Sequence, residues 1–296
     1  MYHQVFKMKK YLAILSLALF NTSCDVIEGP YITDSESYVN QDKKVLIEDF
    51  TGHLCSNCPD AARELSAIHD IYGDQIIALA IHTSTSFARP YLASQAPVFQ
   101  YDFRTIWGEQ WDTYFGASAI GLPRGMVNRI GDQSPTLGKD EWAAVVADEL
   151  KKEIDFKINI SSNNTSISII SEILNNINGN YNLVVCLTES NIINWQKDGT
   201  TNIEDYEHNH VLRTVLTDEA LSSSTSYSAG QEINRSINYN LVSLEQFNID
   251  YSNDIAEAGN GNSGDWDASN MSIISYIYNT NTNEIVQVEE KHLTNH

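Results

Sequence analysis

The stretch Val45-Leu-Ile-Glu-Asp-Phe-Thr-Gly-His-Leu-Cys-Ser-Asn-Cys58 decides the fold. Four of its first six residues are apolar, which is typical of a buried strand. After Cys58, apolar side chains recur at helical spacing at Ala61, Leu65, Ile68 and Tyr72. Gly73 is the expected end of this helix, and residues 76–81 form a second apolar run. The order strand, helix, strand predicts a βαβ unit with parallel strands.

Cys55 and Cys58 lie where the first strand joins the helix. The Cys-x-x-Cys spacing serves redox centres, structural disulfides and zinc sites alike, but no second pair or histidine cluster completes a zinc site here. At a helix N-terminus, unpaired N–H groups and the helix dipole favour a thiolate. We therefore expect Cys55 to be an exposed nucleophile and Cys58 a shielded resolving thiol, with a permanent disulfide as the alternative. His53 either stabilises the thiolate or is a surface imidazole.

Residues 84–120 are rich in aromatic side chains, and Trp107, Trp111 and Phe115 are spaced to share one face of a helix. This segment predicts a helical insertion whose rings either pack in the core or form a peptide-binding lid. Its aromatic residues are Tyr91, Phe99, Tyr101, Phe103, Trp107, Trp111, Tyr114 and Phe115. A further strand at 125–129 and a helix near 140–152 complete an α/β region over residues 44–155.

Beyond residue 155 the apolar residues alternate with period two in short runs, and no long helical pattern is present. The pattern predicts an all-β sandwich over residues 156–296, with a strand at 233–241 among the others. Cys186 lies in one apolar run and is expected to be a small buried hydrophobe. His208 with His210, and the acidic residues of 250–267, lack the spacing of a known metal site, so we predict neither a metal nor a cofactor.

The chain is strongly acidic, with 39 Asp and Glu against 18 Lys and Arg and a formal net charge of -21. This charge repels phosphate backbones and disfavours nucleic acid as a partner. It also disfavours peripheral binding to anionic lipid, which requires basic clusters. Contact with a membrane therefore requires a covalent anchor.

Residues 1–23 have the pattern of a signal peptide, with basic residues at 9–10 and an apolar run at 11–20. The run leads into Asn21-Thr-Ser-Cys24, which resembles the lipobox of bacterial lipoproteins. Cleavage before Cys24 would leave this cysteine to carry acyl chains, and an ordinary secretory cut is the alternative. Residues 24–43 are predicted to form a polar tether. Export would also allow disulfides to persist.

The stretch 45–58 resembles the thioredoxin strand that runs into the redox motif. Asp49 matches the buried acid that accepts a proton from the resolving cysteine in thioredoxins. Gly121-Leu-Pro-Arg-Gly-Met-Val127 resembles the loop in which a cis-proline faces the disulfide, so the resemblance gives Pro123 that role. The chain departs from thioredoxins at Leu54, where they have Trp, and at Ser56-Asn57, where they have Gly-Pro.

From end to end, the chain resembles the Bacteroidetes twenty-eight-kilodalton outer-membrane-protein-related lipoproteins. The resemblance rests on residues 49–59, on Gly121-Leu-Pro123, on Tyr206-Glu-His-Asn-His-Val-Leu-Arg213 and on the last two apolar runs, 273–278 and 284–288. It implies an outer-membrane location and a thioredoxin-like domain followed by a β-sandwich, and no established reaction. Two hypotheses follow. The protein exchanges disulfides with exported or envelope proteins, or it is a non-enzymatic surface protein with a structural disulfide.

Overall fold

The computed structural model describes residues 39–131 and 135–293, so the predicted signal peptide and Cys24 lie outside the described residues. The α/β region contains strands β1 (Val45–Thr51), β2 (Ile76–His82) and β3 (Arg124–Val127). Its helices are α1 (Cys58–Tyr72), α2 (Thr85–Ala88), α3 (Ile106–Phe115) and α4 (Lys139–Glu149). Strand β1 pairs in parallel with β2 and antiparallel with β3, so the predicted βαβ unit is confirmed.

The aromatic segment forms helix α3, as its four-residue spacing predicted. Thr105 accepts a hydrogen bond from the backbone N–H of Gly108 at the helix start, and Gly116 ends the helix in the left-handed conformation. Trp107, Trp111 and Phe115 pack against the core. Phe99 and Phe103 are buried as well, so these rings form core rather than an open lid.

The region after residue 155 is rich in strands, as predicted. Its strands are β4 (Phe156–Ser162), β5 (Ser166–Ile173), β6 (Ile177–Asn178), β7 (Tyr181–Glu189), β8 (Ile192–Asp198), β9 (Thr201–His208), β10 (Val211–Ala220), β11 (Ser226–Tyr227), β12 (Glu232–Asn238), β13 (Met271–Asn279) and β14 (Ile285–His292). They belong to several sheets, and the sheet β12-β5-β4 packs through Ile158, Ile167 and Ile169 against residues of β7 and β13.

One helix in this region was not expected from the sequence, namely α5 (Leu241–Asp254). The prediction of a strand through Leu241 was wrong because Asn240 caps a helix there, its side chain accepting a hydrogen bond from Ser243 N at 2.9 Å. Leu241 and Leu244 pack on the core beneath, while Phe247 meets the Trp107 ring at 5.5 Å. Packing on both sides therefore outweighs the short period-two pattern.

A single sheet crosses the predicted boundary at residue 155. Within the described residues it has seven strands in the order β14-β13-β7-β10-β2-β1-β3. The junction is a parallel contact in which Val211 of β10 lies opposite Ala80 of β2, and Ala80 N donates to His210 O at 2.8 Å. The α/β and β-rich regions are thus continuous through their backbones.

The seven-stranded sheet is curled, so that its two edge strands approach each other. Ile285 N of β14 donates to the carbonyl of Asn128, just after β3, at 2.9 Å. Nearby, Lys43 is buried and its Nζ donates to Val286 O at 2.6 Å, so the last part of the predicted tether belongs to the folded body. The curl encloses a core to which all seven strands contribute apolar side chains.

A buried ion pair lies inside the curled sheet. Arg129 donates to both carboxylate oxygens of Glu48, at 2.7 and 2.8 Å, and to the Tyr276 hydroxyl at 2.9 Å. Four aromatic rings surround the guanidinium at 5.0–5.6 Å, those of Trp111, Phe115, Tyr276 and Tyr278. These contacts join β1, α3 and β13, so one cation connects the two regions of the chain.

The Arg129→Met substitution is expected to lower the free energy of unfolding by about 3–5 kcal/mol, because it leaves the Glu48 carboxylate buried without its partner. The matched control is Arg235→Met, which breaks the partly exposed Arg235–Glu219 pair and should cost about 0–1 kcal/mol. Urea unfolding of both variants measures the difference. Equal losses would contradict a central role for the buried pair.

Candidate functional site

The chain turns sharply from β1 into the cysteine loop at Gly52. A Cβ atom at this position would lie 2.2 Å from the carbonyl oxygen of Phe87, so only glycine fits. The next segment is held by a hydrogen bond from Leu54 N to the same carbonyl at 2.8 Å. Cys55 and Cys58 form a disulfide with a Cα–Cα distance of 5.4 Å, at the start of helix α1.

Both cysteines are buried, each with 2% of its surface exposed. The expectation that Cys55 would be exposed was therefore wrong. Both side chains pack in the apolar core beside Phe50 and Leu122, and the β8–β9 hairpin, residues 192–208, covers the cysteine loop from outside. Its backbone N–H groups at Lys197 and Gly199 donate to the carbonyls of His53 and Ser56, both at 2.8 Å.

Asp49 lies in β1 with 4% of its surface exposed, and its Oδ1 has no hydrogen-bond partner among the described residues. Desolvation by burial raises the pKa of this carboxyl to about 7. Asp49 and Cys58 line the same cavity of about 390 Å³ under helix α1. Strand β2 lines this cavity with the small side chains of Ala78 and Ala80, which leave space there, and with His82.

The Leu122–Pro123 peptide bond is cis, as the resemblance implied for Pro123. Phe50 lies opposite Arg124 in the β1–β3 ladder, so the register brings Pro123 level with Thr51, where β1 leads into the cysteine loop. The ladder register therefore places the Pro123 loop beside the segment that carries the disulfide. A second cis bond, Ala96–Pro97, was not expected.

Three buried histidines surround the Phe103 ring. The ring centroids of His53, His82 and His208 lie 5.8, 4.6 and 4.5 Å from that of Phe103. Burial lowers the pKa of His53 to about 4 and that of His208 to about 3, and it lowers the pKa of His82 as well. All three rings are therefore neutral at neutral pH.

His53 fits neither sequence interpretation. It is buried, with Nε2 2.9 Å from the carbonyl of Arg89, so it is not a surface imidazole. A neutral ring also offers no positive charge to a thiolate. His210, beyond the end of β9, is partly buried and lines the cavity that Asp49 and Cys58 share. Within residues 39–131 and 135–293, no group of three or more His, Cys, Asp or Glu is placed to hold a metal ion.

Gln196, whose side chain covers the cysteine loop, was not predicted from the sequence. Gln196 is 3% exposed, and its Nε2 donates to the carbonyls of Cys55 at 3.1 Å and Lys197 at 2.9 Å. Nothing in the sequence around it marks this role. Glu48 was also missed, although a carboxylate inside a buried apolar strand was a usable signal.

Comparison with known families identifies the chain. The family model described as outer membrane protein Omp28 matches residues 108–255. The chain belongs to the Omp28 family. The resemblance to twenty-eight-kilodalton outer-membrane proteins is therefore confirmed. Among curated protein sequences, none matches this Omp28-family chain significantly.

Two solved structures share the fold of this Omp28-family protein over 85% of its length. HBP35 of Porphyromonas gingivalis is 15% identical, with 76% of its chain covered and a TM-score of 0.59. Protein AGR_C_4864 from Agrobacterium tumefaciens is 12% identical, with 95% covered and a TM-score of 0.51. A domain of the outer membrane lipoprotein Omp28 from Porphyromonas gingivalis also matches, at 14% identity over 49% of this chain with a TM-score of 0.25.

A membrane-spanning helix is not found among the described residues, since none of their helices is both long and apolar enough to cross a bilayer. In the same residues Cys186 carries a free thiol in β7, and it is fully buried as expected. Burial raises the pKa of this thiol, so it stays protonated and unreactive. The Cys55–Cys58 pair is therefore the chemically distinctive sulfur site in this part of the chain.

The buried Asp49 carboxyl predicts a pH-dependent stability difference. The folded chain keeps this proton up to about pH 7, whereas the unfolded chain releases it near 3.8. The folded state binds more protons between these values, so its free energy of unfolding falls as pH rises through them. Asp49→Asn has no carboxyl to ionise, so its free energy of unfolding does not fall for this reason. The difference in free energy of unfolding, variant minus wild type, should therefore rise by about 2–3 kcal/mol between pH 5 and pH 8.

Urea unfolding at both pH values measures this difference. The buried histidines also make stability depend on pH, but their contribution cancels because both chains contain them. Asp70→Asn, at an exposed position of α1, is the matched control and should follow the wild type. A constant difference between wild type and Asp49→Asn across the range would mean that Asp49 is already ionised at pH 5.

Proposed function

We propose that this Omp28-family protein is an outer-membrane-anchored envelope lipoprotein that exchanges thiols and disulfides with exported proteins through Cys55 and Cys58. The observation that carries the proposal is the disulfide at the N-terminus of α1, beside a buried carboxyl with a pKa of about 7. A thioredoxin-like region is the corresponding fold assignment. The parallel β1–β2 pair and the cis-proline before β3 support it.

The exchange begins from the disulfide form. A client thiolate attacks Cys55 Sγ, and the Cys55–Cys58 bond breaks with its electron pair going to Cys58 Sγ. Asp49 is protonated at neutral pH and gives its proton to the Cys58 thiolate within the shared cavity. A second client thiolate then attacks the mixed disulfide and releases Cys55. Of the two protons that the client thiols release, one restores the Asp49 carboxyl and the other protonates Cys55, so the client loses two electrons and two protons and the pair gains them.

The protein would be held in the envelope by its N-terminal region. Acyl chains on Cys24 would hold the chain to the outer membrane, with the polar tether between anchor and body. We infer that the sheet β12-β5-β4 and the strands beneath it form the β-sandwich expected from the sequence. This layer would dock partner proteins or space the cysteine site from the membrane.

A second candidate function is supported by the burial of both cysteines. In that view the disulfide is a permanent staple, and the protein acts in binding or assembly at the cell surface without catalysis. A buried disulfide at a helix start stabilises the fold whether or not it reacts. The two candidates differ in whether Cys55 forms bonds with other proteins.

Cys58→Ser separates the candidates. In the reverse direction of the same exchange, the Cys55 thiolate attacks a client disulfide and Cys58 resolves the mixed disulfide, so this variant should accumulate Cys55-linked complexes with other envelope proteins. Non-reducing gels and mass spectrometry of envelope fractions detect them. The matched control is the double variant Cys55→Ser, Cys58→Ser, which retains Cys186 and should trap nothing. Absence of complexes in the single variant would favour the staple.

The reduction potential of the Cys55–Cys58 pair gives an independent measurement. A value near about -200 mV or more oxidising is expected for an exchange centre, because such a pair is poised against exported dithiols. Equilibration with glutathione buffers, followed by alkylation and mass measurement, gives this value. A potential below about -300 mV would indicate a structural disulfide.

The lipid anchor is tested at Cys24. Expression of the full chain in a bacterial host with a labelled fatty acid should give a labelled protein in the outer-membrane fraction. Cys24→Ala should lose both the label and the membrane association, because no other anchor is predicted. Cys186→Ala is the control and should retain both. Labelling that persists in Cys24→Ala would locate the anchor elsewhere.

A further inference from the structure

The β8–β9 hairpin stands apart from the other sheets. Within the described residues, β8 and β9 form ladder pairs only with each other. Most of β9 is exposed, and so is Ile193 in β8. An isolated two-stranded hairpin is marginally stable in water, so contacts at its inner edge must hold this one in place.

The inner edge of the hairpin binds the cysteine loop as an added strand would. Lys197 N and Gly199 N, two residues apart on one edge, donate to the carbonyls of His53 and Ser56. The Cys55 carbonyl, which lies between those two acceptors in the loop, accepts a hydrogen bond from the Gln196 side chain at 3.1 Å. The loop thus offers a row of acceptors, and the hairpin supplies the donors. Strand addition of this kind is a common way of binding an extended peptide.

The base of the hairpin is held by His208, whose ring centroid lies 4.5 Å from that of Phe103, and by Ile192, which packs on the same cluster. Away from the base, few other contacts close the hairpin over the disulfide. Asp198 accepts a hydrogen bond from Arg63 of α1 at 3.1 Å, in an exposed ion pair of the kind that contributes little. Trp195 packs near Phe99, with ring centroids 5.9 Å apart. The hairpin is flanked by two residues of positive φ, Asn191 at 59° and His210 at 57°. Such residues, at the ends of an otherwise regular element, are suitable hinge positions.

We propose that the β8–β9 hairpin occupies, within its own chain, the surface on which an extended segment of a client polypeptide binds. With the hairpin closed, the disulfide is shielded. When the hairpin swings out, it exposes Cys55 Sγ and frees the carbonyls of His53, Cys55 and Ser56 for the N–H groups of the client backbone. The recognised chemistry is an extended main chain. This inference rests on the proposed exchange function and adds its regulation.

The double variant Gln196→Ala, Asp198→Ala tests the proposal in the mature chain carrying Cys24→Ser. Removing the Gln196 hydrogen bonds and the Arg63 ion pair should raise the rate of Cys55–Cys58 reduction by a water-soluble phosphine by about tenfold. Maleimide labelling and intact mass follow the reaction. The matched control, Glu219→Ala, breaks the Arg235–Glu219 pair outside the hairpin and should reduce at the wild-type rate. A double variant that reduces no faster than wild type overturns the proposal.

Hydrogen exchange of the unmodified chain provides a measurement that does not depend on the variant folding. The amides of Lys197 and Gly199 should exchange at least about tenfold faster than that of Leu187 in the central strand β7, because opening the hairpin leaves the sheet intact. A saturating extended peptide carrying one cysteine should speed their exchange further by displacing the hairpin. Equal protection of all three amides would overturn the proposal.

The outcomes also separate this inference from the proposed function. Unchanged reduction in the double variant, together with trapped clients in Cys58→Ser, would refute the hairpin as a cover and leave exchange in place. Faster reduction of the disulfide in the double variant, with no trapped clients in Cys58→Ser, would mean that the hairpin shields the disulfide but that the protein does not exchange disulfides. The proposal that a client replaces the hairpin would then be refuted as well. Faster reduction together with trapped clients supports both.

Discussion

The Arg129 guanidinium, bound by both oxygens of Glu48 inside the curled sheet, is the contact on which the rest of the architecture depends. Burying a charged pair is costly unless every donor and acceptor is satisfied, and here Tyr276 and four aromatic rings complete the site. Glu48 and Tyr276, which both accept hydrogen bonds from Arg129, are far apart in the sequence. The sheet therefore has to curl before Arg129 has a complete set of partners.

Continuity of the sheet explains how a hairpin from the second half reaches a disulfide in the first. Strand β10 takes the place beside β2, with Val211 opposite Ala80, and β7 lies next to β10. The chain between β7 and β10 must therefore leave the sheet near the end of β1, where the cysteine loop begins. The hairpin and the cysteine loop meet because of strand order.

The strands and helices that were predicted correctly from the sequence are those that depend on local patterns. The parallel β1–β2 pair and the helix of Trp107, Trp111 and Phe115 follow from periodicity, while the roles given to Asp49 and Pro123 follow from a resemblance. What the sequence could not predict arises from pairing between distant segments. Cys55 is buried because it packs in the core and because residues 196–199 bind its loop. His53 is neutral because Phe99 and Phe103 enclose it. Helix α5 was hidden because its apolar residues do not share one face, with Val242 and Phe247 exposed, and because its stability comes from capping and from packing on Trp107.

The shared sheet also constrains how the chain acquires its structure. Strands β1, β2 and β3 are made early, but β10, β13 and β14, which complete their sheet and enclose Arg129, are made last. Contacts between residues so far apart in sequence are slow to form. If the chain crosses a membrane with its N-terminus leading, Cys55 and Cys58 are therefore unshielded until residues 192–208 have followed and bound the cysteine loop. Throughout that interval the exposed pair is accessible to the thiol chemistry of the compartment, long before its own hairpin covers it.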